Sequence, residues 1–147
     1  MSASQPFLLL VEDDETDVFL LKRALTSVGF TVPIHVAREG QQVIDLLTYW
    51  HTHPTSPPPG LALLDLRMPG RDGLQTLQWI REQPWLTGLP VFIFSSSSHY
   101  RDVERAYSLG ASGFFVKPPS LNERAELAGF LKRWLVLNQT PWQANKL

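Results

Sequence analysis

Apolar residues are distributed along this chain in two alternating ways. Short, almost continuous apolar runs, of which Phe7–Val11 comes first, read as strands buried on both faces. Between them stand segments whose apolar residues recur at spacings of three and four, the period of a helix packed by one face. The stripe Val18, Leu21, Leu25 and Val28 predicts a first helix, with Gly29 as its C-terminal stop. Ile34–Ala37 reads as the second strand and Gln41–Tyr49 as the second helix, where Val43, Ile44, Leu46 and Leu47 are apolar. The run from Gly60 to Leu64 is the third strand, and Leu74, Leu77 and Ile80 line the third helix. Val91–Phe94 follows as a strand, Arg101–Leu109 as a helix, Gly113–Val116 as a strand and about Asn122–Leu137 as the last helix. Strand and helix alternate five times, which implies an α/β domain with a parallel sheet covered on both faces.

Prolines and glycines punctuate this pattern. His51 to Gly60 contains Pro54, Pro57, Pro58 and Pro59, which remove backbone donors and block both helix and central strand, so an extended surface loop is expected there. Pro69-Gly70-Arg71-Asp72-Gly73 reads as a turn, and Pro84 with Gly88-Leu89-Pro90 marks the exit of the third helix. The expected domain runs from 7 to 137, with tails at 1–6 and 138–147.

Composition narrows the function classes. A length of 147 residues with 44% hydrophobic content supports one ordinary core without staples. A net charge of −1 gives no electrostatic case for nucleic acid or an anionic membrane. The chain has no cysteine, which excludes disulfides and thiolate metal sites and fits a reducing compartment. No apolar run approaches the roughly 20 residues that span a bilayer, and Met1–Pro6 lacks the basic and apolar parts of a leader. A cytoplasmic protein is expected.

The candidate chemistry lies at the ends of predicted strands. Asp65 closes the third, followed by a turn expected to keep it exposed, and reads as a phosphorylation site. Glu12-Asp13-Asp14 follows the first strand, Ser95 the fourth and Lys117 the fifth. Taken singly, the acids read as helix caps and Lys117 as a solvated lysine. In a parallel sheet they converge. His51 and His53 form a His-x-His pair with no third ligand nearby in sequence, a weak basis for a metal site.

The acidic cluster, Asp65-Leu66-Arg67-Met68-Pro69 with Gly73, Ser95, and Lys117-Pro118 match in order and spacing, so the chain resembles the receiver domains of two-component response regulators from Phe7 to about Leu137. The resemblance implies a flavodoxin-like, doubly wound (βα)5 fold with a parallel five-stranded sheet of order 2-1-3-4-5. It also implies that Asp65 is a nucleophile accepting a phosphoryl group from phosphohistidine on a partner histidine kinase. Asp13 and Asp65 would bind Mg2+ directly, Glu12 through water and Arg67 through its backbone carbonyl. Magnesium suits such a site, since it prefers hard oxygen ligands and shares phosphate oxygens. Lys117 would pair with phosphoryl oxygens and Ser95 would donate a hydrogen bond to one. Ser95 and Phe114 would form the switch, and the Lys117–Pro118 peptide is expected to be cis. Serine and phenylalanine depart from the commoner threonine and tyrosine, and phenylalanine offers no hydroxyl to a partner. The side chains of Arg67 and Tyr100 would tune the phosphoryl lifetime.

The last helix carries apolar residues on two neighbouring stripes, wider than one buried face needs. Leu127, Phe130, Trp134 and Leu137, followed by Trp142, suggest a homodimer surface. The proline-rich insertion, the aromatic final helix and the short remainder after it resemble the single-domain response regulators of bacterial and cyanobacterial phytochromes. The implied role is a relay without enzymatic activity beyond its own phosphorylation and dephosphorylation, with a light-sensing kinase as partner. Two alternatives stand beside it. A phosphorylation-independent adaptor would dispense with Asp65 or Lys117, and both are present. A phosphohydrolase of the haloacid dehalogenase type wants a second aspartate where Arg67 stands.

Overall fold

The computed structural model describes residues 5–68, 70 and 72–144. Pro69 and Arg71, both in the turn expected from the sequence, lie outside the described residues, as do 1–4 and 145–147. In chain order the elements are β1 (Phe7–Val11), α1 (Glu15–Ser27), β2 (Ile34–Ala37), α2 (Gly40–Thr52), β3 (Pro59–Leu64) and α3 (Gly73–Glu82). A 3-10 turn at Pro84–Leu86 leads to β4 (Val91–Ser95), α4 (Tyr100–Ser108), β5 (Gly113–Val116), α5 (Leu121–Leu137) and a final turn α6 (Pro141–Ala144). All neighbouring strands pair in parallel, in the order β2-β1-β3-β4-β5. This is the doubly wound, flavodoxin-like fold expected.

Side chains of a strand alternate between faces, so a strand buried on both sides feeds two cores. Leu8 and Leu10 of β1 join Leu61 and Leu63 of β3 beneath Val18, Leu21 and Leu25 of α1 and Leu127, Ala128 and Leu131 of α5. Phe7, Leu9 and Val11 join Ala62 and Leu64 on the opposite face, against Val43 and Leu47 of α2, Leu77 and Ile80 of α3, and Ala106 of α4. Strand order reverses between β1 and β3. In sheets of this kind the crevice at such a reversal, outside the carboxyl ends of the strands, is where ligands bind.

Three expectations need correction. The proline-rich segment is shorter than its composition suggests: α2 runs through His51 to Thr52, and β3 begins at Pro59. Pro59 is tolerated because it is the first residue of its strand and the carbonyl before it, Pro58 O, accepts from Phe7 N at 2.9 Å. Leu127, expected on a dimer surface, is a core residue with 8% exposure, because the inner stripe of α5 packs on α1 and the sheet. Trp142, expected with that surface, packs within the chain and stays partly exposed. It packs edge-on against Trp50 with ring centroids 5.1 Å apart and donates from Nε1 to Pro59 O at 3.0 Å. The tail thereby returns to the start of β3.

Gly73, the first residue of α3, has no space for a side chain. A Cβ there would lie 2.2 Å from the Asp65 carbonyl oxygen and 2.6 Å from Leu66 Cα, while Gly73 N donates to Leu66 O at 3.0 Å. Asp72 caps the helix by a reciprocal pair of bonds with Gln75. The start of α3 is therefore clamped beneath the residue that follows β3. Gly73→Ala is expected to cost about 1–3 kcal/mol, the range for overpacking, seen as a lowered midpoint in urea unfolding. Trp142→Ala is expected to lower the same midpoint and leave the oligomeric state unchanged in sedimentation, since this ring is used within the chain.

Candidate functional site

The register of two strands builds the site. Val11 pairs with Leu64, so Glu12 and Asp65, the next residue of each strand, stand side by side at the carboxyl end of the sheet. Asp65 N donates to Val11 O at 3.0 Å and Glu12 N to Ala37 O at 2.9 Å, which extends the ladders past the strand ends. Ser95 pairs with Val116 across β4 and β5, and Lys117 N donates to Ser95 O at 2.7 Å, which starts the lysine from the same end. Asp14 turns the chain into α1 by accepting from Thr16 N and Asp17 N at 2.8 and 3.1 Å.

One ammonium group sits among the acids. Lys117 Nζ lies 2.7 Å from Glu12 Oε1, donates to Asp17 Oδ2 at 2.7 Å, and reaches Asp65 Oδ2 at 3.4 Å. Glu12 is almost wholly buried at 1% exposure, and its carboxyl is pushed up to about 7, first by burial and then by Asp65, with Lys117 pulling the other way. Burial alone would lower Lys117. The hydrogen bonds to Asp17 and Glu12 and the charge of Asp65 outweigh it and hold the ammonium above its ordinary range.

Glu12, Asp13 and Asp65 also bring one carboxylate oxygen each to within 4.8 Å of one another, a spacing that one metal ion can bridge. Their all-oxygen donor set is the kind that hard divalent cations prefer. The residues therefore fit Mg2+ or Mn2+.

The structure brings together Glu12, Asp13, Asp65 and Lys117, and sets Ser95 at the adjoining strand end. Ser95 is fully buried, and its Oγ accepts from Ser97 N at 3.1 Å. Arg67 directs its backbone N–H toward Asp65 Oδ1 at 3.4 Å, with its side chain exposed. Phe114, on β5, is half-buried against the α2–α3 face. Tyr100 is exposed at the start of α4. His51 stacks on Trp85 at 4.0 Å and His53 on Tyr49 at 4.0 Å, so the two rings of the His-x-His pair engage separate aromatic partners.

Two expectations fail here. Asp65 is not left exposed by its turn: it retains 6% exposure, because Glu12, Lys117 and the clamped start of α3 close around it. The Lys117–Pro118 peptide is trans. Trans is the ordinary preference of such bonds, and the lysine is already aimed by its backbone bond to Ser95 and by the acids its ammonium meets.

Asp17 and Arg124 were not expected at the site. Arg124 Nη2 donates to the second oxygen of Asp17 at 3.3 Å. Each had a signal. Asp17 stands in the first turn of α1, three residues after the N-cap Asp14 and four after Asp13. Arg124 falls on the inner stripe of α5 with Ala128, Leu131 and Leu135, a charged residue in an apolar register.

The response regulator receiver domain profile matches residues 8–128, and the chain belongs to this family. Its members are in general not catalytic enzymes. Along 146 residues the chain is 34% identical to the probable methanogenesis regulatory protein FilR2 of Methanothrix harundinacea, covering 98% of this chain and 94% of that one. It is 30% identical over 129 residues to response regulator Rcp1 of Synechocystis, covering 87% of this chain and 88% of Rcp1. The crystal structure of Mn2+-bound Rcp1 superposes with a TM-score of 0.79 at 28% identity over 92% of this chain and 99% of that one. The phosphorylated cyanobacterial phytochrome response regulator RcpA superposes with a TM-score of 0.82 at 27% identity over 94% of this chain and 99% of that one. The described residues contain no helix long and apolar enough to cross a membrane.

Burial of Glu12 makes the metal-free protein pH-sensitive in a defined direction. Its folded pKa is above its unfolded one, so the folded chain holds the proton more tightly. That stabilisation is full below about 4.5 and is lost as pH rises through about 7. In chelator, the wild type is expected to lose about 2 kcal/mol relative to Glu12→Gln between about pH 5 and pH 8, measured by urea unfolding of both proteins.

Proposed function

We propose that this chain is a single-domain response regulator that takes a phosphoryl group on Asp65 from a phosphohistidine of a partner histidine kinase, in a magnesium-dependent relay. The observation that carries this reading is the grouping of Asp65 with Glu12, Asp13 and Lys117 at the strand-order reversal, one ammonium facing several acids. Asp65 is the nucleophile: its oxygen forms the bond to phosphorus as the phosphorus–nitrogen bond breaks, and the imidazole keeps that electron pair. Glu12, Asp13, Asp65 and the Arg67 carbonyl would hold Mg2+, which offsets the repulsion between the acids and the incoming phosphoryl oxygens. Lys117 meets the added charge from the β5 side. Ser95 donates its hydroxyl proton to a phosphoryl oxygen, and its movement with Phe114 is the switch.

The output is self-association through α5. Phe130 and Leu137 are 39% and 69% exposed, and Trp134 packs edge-on against Phe92 with part of its ring still accessible. The likeness to RcpA supports a phytochrome-type kinase as the phosphodonor, acting in the cytoplasm. The domain that carries this activity runs from 7 to 137, braced by the tail that follows it.

Incubated with magnesium and a small-molecule phosphodonor, the wild type is expected to gain one phosphoryl group by intact mass, lost on chelation of the metal and absent from Asp65→Asn. No modification of either protein would favour the adaptor reading. Phe130→Asp is expected to shift sedimentation from dimer to monomer while phosphorylation proceeds; an unchanged dimer would place the interface elsewhere.

A further inference from the structure

Lys117 makes its shortest contacts away from the proposed phosphoacceptor. Its ammonium is 2.7 Å from both Glu12 and Asp17 but 3.4 Å from Asp65. To meet a phosphoryl group on Asp65, Nζ has to move toward that side and loosen its hold on Asp17. Asp17 keeps 20% of its side chain exposed, so losing one of its two cations would carry a moderate cost, above that of a fully solvated charge. That cost would fall on every step that draws Lys117 away.

Arg124 removes it. Its side chain is 9% exposed and already donates Nη2 to Asp17 Oδ1, while Nη1 is buried with no hydrogen-bond partner. Asp17 is thus shared: one oxygen faces the lysine and the other the arginine. A guanidinium can close on a carboxylate with two parallel bonds, and Arg124 has the spare donor to do so once Lys117 leaves. Both cations lie against the Phe94 ring, 5.7 and 5.8 Å from its centre, so a common apolar wall backs the exchange.

We propose that Asp17 and Arg124 are positioning residues of a partner exchange, in which Lys117 passes from Asp17 to the phosphoryl oxygens while Arg124 closes on Asp17 with both amino groups. The inference rests on the reading of Asp65 as phosphoacceptor. Neither residue touches the reacting atoms; both act through Lys117. Because Arg124 belongs to α5, the exchange also ties the charge at Asp65 to the helix that bears Phe130 and Leu137.

The test measures the rate of phosphorylation by a small-molecule phosphodonor in magnesium for full-length wild type, Arg124→Met, Arg124→Lys, Asp17→Asn and the double variant Asp17→Asn/Arg124→Met. Arg124→Met leaves Asp17 with Lys117 alone and is expected to react roughly tenfold more slowly, the scale of one charge-assisted hydrogen bond. Arg124→Lys is expected to recover most of that loss. The double variant is expected to react faster than Arg124→Met, since no acid then holds the lysine back, a rescue that a purely structural role would not produce. A wild-type rate in Arg124→Met, or a double variant no faster than it, would overturn the proposal. If Arg124→Met does not fold, Asp17→Asn alone decides: a rate at least equal to wild type supports the exchange and a slower one sinks it. A wild type that takes up no phosphoryl group would overturn the phosphoacceptor reading itself and the exchange with it.

Discussion

Like charges gathered at one end of a parallel sheet are the constraint around which this molecule is arranged. The register of β1 against β3 forces Glu12 and Asp65 together, and the turn into α1 adds Asp13 and Asp17. Such acids repel one another unless a cation stands among them, and burial sharpens the repulsion. Lys117 meets that need from β5, held by a backbone bond to Ser95. Where it is held, the peptide to Pro118 keeps its ordinary trans form. Burial, with Asp65 beside it, keeps the carboxyl of Glu12 elevated, and Lys117 only partly offsets this. The three carboxylates of Glu12, Asp13 and Asp65 stand close enough together for one divalent cation.

The two faces of the sheet divide the remaining work. On one face α2, α3 and α4 pack around Val43, Leu77, Ile80 and Ala106, and Gly73 clamps the start of α3 under Asp65. That side positions Asp65. On the other face α1 and α5 lie together over Leu8, Leu10, Leu61 and Leu63, and Asp17 and Arg124 bridge them at the site end. The apolar outer residues of α5 are therefore on the same element as a cation that bonds to Asp17. Trp142 closes the far end by packing on Trp50 and donating to Pro59, so the chain after α5 braces the sheet where the chemistry is absent.

Most of the architecture was legible along the chain because strands buried on both faces leave unbroken apolar runs and one-sided helices leave period-3.6 stripes. Phe7–Val11, Ile34–Ala37 and Gly113–Val116 appear in the structure with the bounds expected. Local chemistry misled where tertiary contact overrode it. Pro59 starts a central strand because the neighbouring Phe7 bonds to the carbonyl before it, and α2 continues through His51, whose ring stacks on Trp85. Leu127 and Trp142 resembled surface apolar residues because periodicity counts stripes and does not say which stripe meets another helix.

The same division runs through the site. Sequence alone determined which residues are chemically able to serve: acids, a hydroxyl and a lysine, each at the end of an apolar run, in an order that only a parallel sheet makes meaningful. Only the tertiary structure decided how those residues share charge. Which carboxylates Lys117 meets, how deeply Asp65 and Glu12 are buried, and that Arg124 reaches across from α5 to Asp17 all depend on distances between segments some hundred residues apart. Electrostatic partnership falls off with separation in space and has no counterpart in separation along the chain. A residue's type can therefore be read from its position in the sequence, but its partner cannot.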